Sequence, residues 1–361
     1  MKRTCLYDRH AELGALIQPF GGFDMPIQYS SIIEEHNAVR NDCGVFDVSH
    51  MGEVTIKGID AEKYVNHIFT NDVRQLEQGK IQYGMMLQED GGTVDDLLVY
   101  KMGDNDFLLV INAANIDKDV EWINSHAEGY NVEIKNMSDY YGQIAVQGPK
   151  SEAVVETVLQ LPCSELTFYT FKTADIAGET IIISRTGYTG EDGFEIYASH
   201  SLIIDMWDKL MKSGCCKPCG LGCRDTLRFE VGLPLYGDEL SEEITPLMAG
   251  LGIFCKLDKE EFIGKNALAK QKAEGPAQKI VGIELEDHAV PRHGYQVLHE
   301  GQSVGEVTTG YRSISTDKSV CMALIDVQFA KLDTPVEVQI RKKTFAGKVV
   351  KKKFYEKHYK K

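Results

Sequence analysis

The chain has no apolar run approaching the ~18 residues that a membrane-spanning helix needs, so that class is excluded. Its start, Met1 to His10, is positively charged with no apolar segment behind it, so no secretory signal is expected. Positive charge is in deficit overall. Against 54 Asp and Glu stand 39 Lys and Arg, a net charge of −15, which argues against nucleic acid or an anionic membrane as partner. HExxH and Cys/His catalytic arrangements do not occur. No second CxxC pair or finger-like histidine group follows the dense group Cys215, Cys216, Cys219 and Cys223. Those four could offer thiolates to zinc or an iron–sulfur cluster, but small apolar side chains near a helix end are the plainer reading. Nine cysteines, an odd number without an export signal, point to reduced thiols and a cytoplasmic protein.

What is present suggests two or three domains. The first 70 residues suggest helices separated by loops, one of them Ile32 to Arg40, where Ser31 and Glu34 form a capping-box pattern. Met85 to Gln88, Thr93 to Lys101 and Asp106 to Asn112 suggest a meander turned at Glu89 to Gly92. Helical spacing returns at Asp117 to His126. A strand at Gln143 to Val146 precedes a helix through Val158. Beyond about residue 278 the runs Lys279 to Leu285, Tyr295 to Leu298, Gly305 to Thr309, Val320 to Ile325 and Val336 to Ile340 are short and alternating. They suggest a small β barrel or sandwich after a linker at Gln271 to Gln278.

The most informative segment is Arg185 to Glu195. Gly187, Gly190 and Gly193 allow positive φ and close backbone approach, between a strand at Thr180 to Ser184 and one containing Phe194 and Ile196. A phosphate cradle fails: the spacing matches neither phosphate motif, no helix follows, and Glu191 and Asp192 would repel an anion. Glu195 accepts hydrogen bonds only, so a ring edge rich in N–H donors, such as an amino-pyrimidinone, is its natural ligand. An ordinary polar hairpin loop remains the alternative.

Asp95 and Asp96 are adjacent on a strand and point to opposite faces, so they cannot share one proton in the usual way. Their apolar flanks suggest that at least one is enclosed and needs a partner; a turn-stabilising role competes. Arg224 and Arg228 share a helical face, where substrate carboxylate capture competes with pairing to Asp225 or Glu230. Arg292 is a further candidate. His36, Asp47 and His50 match no common metal-ligand spacing, and structural roles are expected. From Arg341 to Lys361 ten Lys or Arg face one acid, Glu356. This is either a solvated, partly frayed tail or an attractor for an acidic partner.

In order along the chain, Gly22-Phe23 with Met25-Pro26, Phe46 to Gly52, Gly91 to Asp96, Gln147-Gly148-Pro149, the Arg185 to Glu195 run, Cys223-Arg224-Asp225, Leu235-Tyr236-Gly237 and Lys353-Phe354-Tyr355 resemble the T-protein family of the glycine cleavage system. The resemblance runs essentially end to end. It implies an α+β fold of three domains in a ring, with a central folate site and a C-terminal all-β barrel. The implied domains are 1–52 plus about 138–270, an inserted 53–137, and 278–361. It implies tetrahydrofolate-dependent aminomethyl transfer, in which the dihydrolipoyl arm of H protein carries the aminomethyl group and ammonia and 5,10-methylenetetrahydrofolate form. By matching positions, Asp96 is the catalytic carboxylate and Glu195 holds the pterin. Arg224, Tyr83, Asn112, Tyr188 and Tyr359 line the folate site, with Arg292 possible. The partners expected are lipoylated H protein and tetrahydrofolate, with no metal, nucleic acid or membrane. The competing readings are a related folate-dependent demethylase and a non-enzymatic folate-binding iron–sulfur assembly factor.

Overall fold

The computed structural model of the protein describes residues 1–360. Five antiparallel strands form one sheet in the order Ile81–Leu87, Thr93–Gly103, Asp106–Ile111, Gly52–Lys57, Glu133–Asn136. Strand alternation sorts its residues. Val54, Leu97, Val99, Leu109 and Ile111 pack on helices Ala61–Ile68 and Ile116–Ser125, while Leu98, Tyr100, Leu108 and Val110 face the other way. Asp96 shares the second face, being two and four residues from Leu98 and Tyr100.

That second face packs on a six-stranded sheet ordered Phe171–Ile176, Glu179–Ser184, Gly193–Ser199, Tyr141–Gln147, Gly44–Asp47, Lys217–Cys219. Ile182 and Tyr197 meet the five-stranded sheet there. On its outer face Val45, Ile144, Ile183, Phe194 and Ile196 pack under helices Ser151–Val158 and His200–Ser213. The five-stranded sheet lies in sequence between two neighbouring strands of the six-stranded one, Gly44–Asp47 and Tyr141–Gln147.

The closed barrel runs Gln278–Leu285, Ser319–Asp326, Gln302–Arg312, Gln296–His299, Pro335–Ile340, Lys343–Val350. Each of the three assemblies touches both others. Tyr100 bonds Ser184 and Tyr197 across the sheets, and Arg228 bonds Thr309 while Ser313 bonds Glu230 at the barrel. Met85 and Leu87 share an apolar cluster with Ile280, Val320 and Met322 of the barrel. Three pairwise contacts close a circuit, which is the ring expected.

Four expectations need correcting. The first 70 residues are not mainly helical. Leu16–Phe20 and Phe23–Gln28 form a hairpin that turns at Gly21 and Gly22, both with positive φ, and Gly44–Asp47 and Gly52–Lys57 are sheet strands. The linker is shorter than expected, because helix Lys265–Glu274 takes up its first half. Only half of the capping box forms: Ser31 accepts from the Glu34 amide, but the Glu34 carboxylate turns to Lys217. Glu35 instead accepts from the amides of Tyr29, Ser30 and Gly220. The basic tail is not frayed. Lys343–Val350 is a barrel strand, and Lys352, Lys353 and Lys360 bond to Ala249, Glu356 and Glu152. Among the described residues no helix is long and apolar enough to cross a membrane.

Candidate active site

The hairpin at Gly91 and Gly92 places the aspartate pair. Gly91 has φ +92°, and a Cβ on Gly92 would lie 1.9 Å from the Glu242 carbonyl, so only glycine allows this approach. Asp95 is fully buried and accepts from the Asn112 amide N–H (2.9 Å), Asn112 Nδ2 (2.8 Å) and Asn115 Nδ2 (2.7 Å). Asp96 emerges on the opposite face and accepts from the Tyr83 hydroxyl at 2.8 Å and Asn112 Nδ2 at 3.0 Å. Asn112 therefore bridges both carboxylates although they share no proton. Burial and the neighbouring Asp95 charge push the Asp96 carboxyl up to about 7, and the Tyr83 and Asn112 donors oppose this. Both of its protonation states are populated near neutral pH.

Glu195 lies on strand Gly193–Ser199, opposite Ala145 and Ser184, and is buried. Its Oε2 accepts from Thr186 Oγ1 at 2.5 Å and its Oε1 from Gln143 Nε2 at 3.3 Å. Burial raises this carboxyl; the Thr186 hydroxyl and the Arg224 charge pull it back. Arg224, on helix Leu221–Glu230, stacks 4.9 Å over the Tyr188 ring, and its Nη1 is buried without a partner. Gln143 Oε1 and His50 Nδ1 are likewise buried and unpartnered. Three such atoms around Glu195 and Arg224 fit a polar ring that both donates and accepts.

The structure brings Tyr83, Asn112, Asp96, Glu195, Arg224 and Tyr188 to one place. Tyr169 joins them: it lies close to both Glu195 and Asp96, and it holds φ +65°, an unusual backbone for a bulky residue. Tyr359 reaches the site from the tail by stacking 4.2 Å from Phe168, the neighbour of Tyr169. Arg292 is exposed at the barrel side, over the ring of Tyr311, whose hydroxyl bonds Asp225.

Several loop expectations change. Of the three glycines in the Arg185 to Glu195 run, only Gly190 has positive φ. Gly187 and Gly193 are glycine because the Gln147 amide sits against them, at 2.0 and 2.4 Å from a would-be Cβ, and not because a ligand approaches. Glu191 pairs with Arg40 at 3.1 Å and Asp192 with Arg185 at 2.6 Å, so neither acid faces the site. Arg228 bonds Asp225 and Glu239 and is structural, whereas Glu230 is held by Arg40, Ser313 and Ser315.

The possible metal ligands are dispersed. His36 bonds Thr226 and Ser315, and Asp47 bonds Thr4 and His10. Burial lowers the His50 pKa to about 4, leaving a neutral ring between Phe20 and Phe23. Cys216 meets Cys43 in one apolar cluster, Cys219 and Cys223 lie in another, and Cys215 is exposed. Among the described residues no His, Cys, Asp and Glu group could hold a metal ion.

The sequence reading missed Tyr169, Gln143, Thr186, Ser184 and Tyr100. Only the period-2 pattern offered a signal, since it puts Tyr100 on the face of Asp96.

Residues 6–259 match the family described as GCVT N-terminal domain, and residues 278–356 the glycine cleavage T-protein C-terminal barrel domain. An aminomethyltransferase of Thermoanaerobacter pseudethanolicus is 50% identical over 365 residues, covering 100% of this chain and 99% of that one. One of Bacillus subtilis is 49% identical, covering 99% of each. The crystal structure of glycine cleavage system aminomethyltransferase T from Bartonella henselae superposes with a TM-score of 0.95 at 30% identity, covering 100% of this chain and 99% of that one.

Proposed function

The chain belongs to the glycine cleavage T-protein family and is an aminomethyltransferase; from that premise we propose how its own residues carry the transfer. The family uses tetrahydrofolate. In our reading the acceptor is tetrahydrofolate held between Asp96 and Glu195, and the donor is the aminomethyl group on the dihydrolipoyl arm of H protein, handled in the cytoplasm. The curated relatives carry the aminomethyltransferase name, so neither the demethylase nor the iron–sulfur alternative is favoured.

The observation that carries the reading is Asp96, poised near neutrality between two donors and lying, like Glu195, beside Tyr169. Glu195 accepts from the N–H edge of the pterin, and the free Arg224 N–H donates to its oxygen. With the ring fixed, Asp96 sits where positive charge develops on the nitrogens and the transferred carbon. A positive charge beside a carboxyl favours its ionised form, so it is Asp96 as the carboxylate that meets the developing cation and stabilises it. Tyr83 and Asn112 hold that carboxylate in one orientation, which aligns the second folate nitrogen for ring closure. The buried Asp95 charge keeps Asp96 from being locked as a permanent anion. Tyr188 and Tyr359 wall the ring, with Arg292 at the rim. The domain partition 1–52 plus about 138–270, 53–137 and 278–361 fits the inserted sheet and belongs to the same proposal.

Ammonia release from aminomethylated H protein tests this. Rapid release only when tetrahydrofolate is added is the expected result. Release that ignores tetrahydrofolate, or turnover of a free methylated amine instead, overturns it.

A further inference from the structure

A line of four buried hydroxyls ends on Glu195. Tyr197 OH lies 3.0 Å from Tyr100 OH, which lies 3.0 Å from Ser184 Oγ; Ser184 Oγ is 2.8 Å from Thr186 Oγ1, and Thr186 Oγ1 is 2.5 Å from Glu195 Oε2. All four side chains are at most 2% exposed. A carboxylate can only accept, so Thr186 donates to Glu195, and with one proton per hydroxyl the line can pass donation on from Tyr197 through Tyr100 and Ser184 to Thr186. The Glu195 carbonyl, 3.3 Å from Ser184 Oγ, is a second acceptor for the Ser184 proton. In a buried chain of this kind each donor polarises the next. Tyr100 stands on the strand that carries Asp96, and Ser184 and Thr186 flank the loop that ends at Glu195. The chain therefore crosses the interface between the two sheets.

We propose that this hydroxyl relay holds Glu195 as an oriented carboxylate for the pterin edge, making Thr186 and Tyr100 positioning residues for folate recognition. The inference rests on reading Glu195 as the pterin contact. Its consequence is that recognition on one sheet is set partly by the strand that carries the chemistry on the other. The titratable and charged groups facing Glu195 are Arg224 from its helix, Tyr100 from the other sheet, Tyr169 from the turn before Phe171, and Tyr197 from its own strand; Asp96, like Glu195, lies beside Tyr169. Burial raises all three tyrosines, so they stay neutral in the acid range. Asp96 and His50 titrate alike in all the variants below.

Calorimetric titration with tetrahydrofolate from pH 5 to 8 tests the relay. Thr186→Val removes the terminal donor, so the Glu195 carboxyl rises further. Affinity is then lost at a higher pH on acidification, by about one pH unit, and the neutral-pH Kd rises about tenfold. Thr186→Ser restores both. Tyr100→Phe keeps the ring volume and shifts the same edge by less. Thr186→Val that lowers thermal stability but leaves the pH edge unmoved overturns the relay while leaving Glu195 in place. Glu195→Gln with unchanged affinity overturns both readings together.

Discussion

Asp96 and Glu195 are both enclosed carboxyls raised by loss of solvent, but their surroundings differ in kind. Asp96 has a second carboxylate at its back and two donors from its own sheet, so its charge is adjustable near pH 7. Glu195 has no acid among the groups that shift it. It faces a buried guanidinium and receives an amide donor from one strand and a hydroxyl donor from a loop, an arrangement that fixes geometry. One environment suits a charge that must respond during reaction, the other a charge that must already be in position. The supports differ as well: the aspartate pair depends on a local hairpin, whereas the Glu195 loop depends on long-range ion pairs.

The largest break should come from Asp96→Asn. It keeps the shape and loses the charge, so turnover should fall by about two to three orders of magnitude while calorimetry still shows folate binding. Near-normal methylene transfer would remove Asp96 from its role. Next is Arg40→Ala, which takes the guanidinium from the buried acids Glu191 and Glu230, leaving them only His358, His36 and serine hydroxyls, and also removes the stack on Tyr355. Denaturant unfolding should show a loss of about 3 kcal/mol or more. A loss below about 1 kcal/mol, the range of exposed pairs, would show that the loop does not depend on it. Glu195→Ala should weaken tetrahydrofolate binding about tenfold or more and change the rate at saturation far less. Equal loss in both would erase the distinction between the two carboxyls.

The smallest effect is the most diagnostic. Asp95 raises Asp96, so Asp95→Asn should lower it, and the acid limb of kcat/KM, expected near pH 7, should move down by about one unit. Movement upward, or none, would show that Asp95 acts only through Asn112 and Asn115. Stability behaves in parallel at Glu230. Its folded pKa is depressed, with His36 and Ser315 as partners opposing burial, so its contribution is present above the unfolded value and lost as acid titrates it. Acid unfolding setting in below about pH 4 is therefore expected, since an unperturbed Glu titrates there.

Much of the scaffold was legible. The alternation at Thr93 to Lys101 gave the strand, its faces and the separation of Asp95 from Asp96, because a period of two is a local property. The five barrel runs were legible for the same reason, whereas the final barrel strand, Lys343–Val350, was hidden among lysines that read as a tail. The N-terminal hairpin was missed because its first strand is mostly exposed and its second buries two adjacent residues, Met25 and Pro26, so neither shows an alternating apolar face. At the site, Asp96, Glu195 and Arg224 were singled out as candidates from the residues, and their roles were reached through motif resemblance. Gln143, Tyr169 and the hydroxyl chain as a connected line were not, since alternation places Tyr100 on the face of Asp96 but nothing local links it to Ser184, Thr186 or Tyr197.

By itself the sequence determined which residues could form strands and turns, which carboxyls lie on which face, and which family pattern they match. Tertiary structure decided where each charge is spent. Arg185 and Asp192 neutralise one another, Arg40 takes Glu191 and Glu230, and Gly187 and Gly193 close on Gln147, so the loop that looked acidic and open presents Glu195 as its one carboxylate at the site. Alternation and turn preference act over a few residues and are written locally. Ion pairing and hydrogen bonding act through space, between residues as far apart in sequence as Arg40 and Glu191, and only folding brings those together.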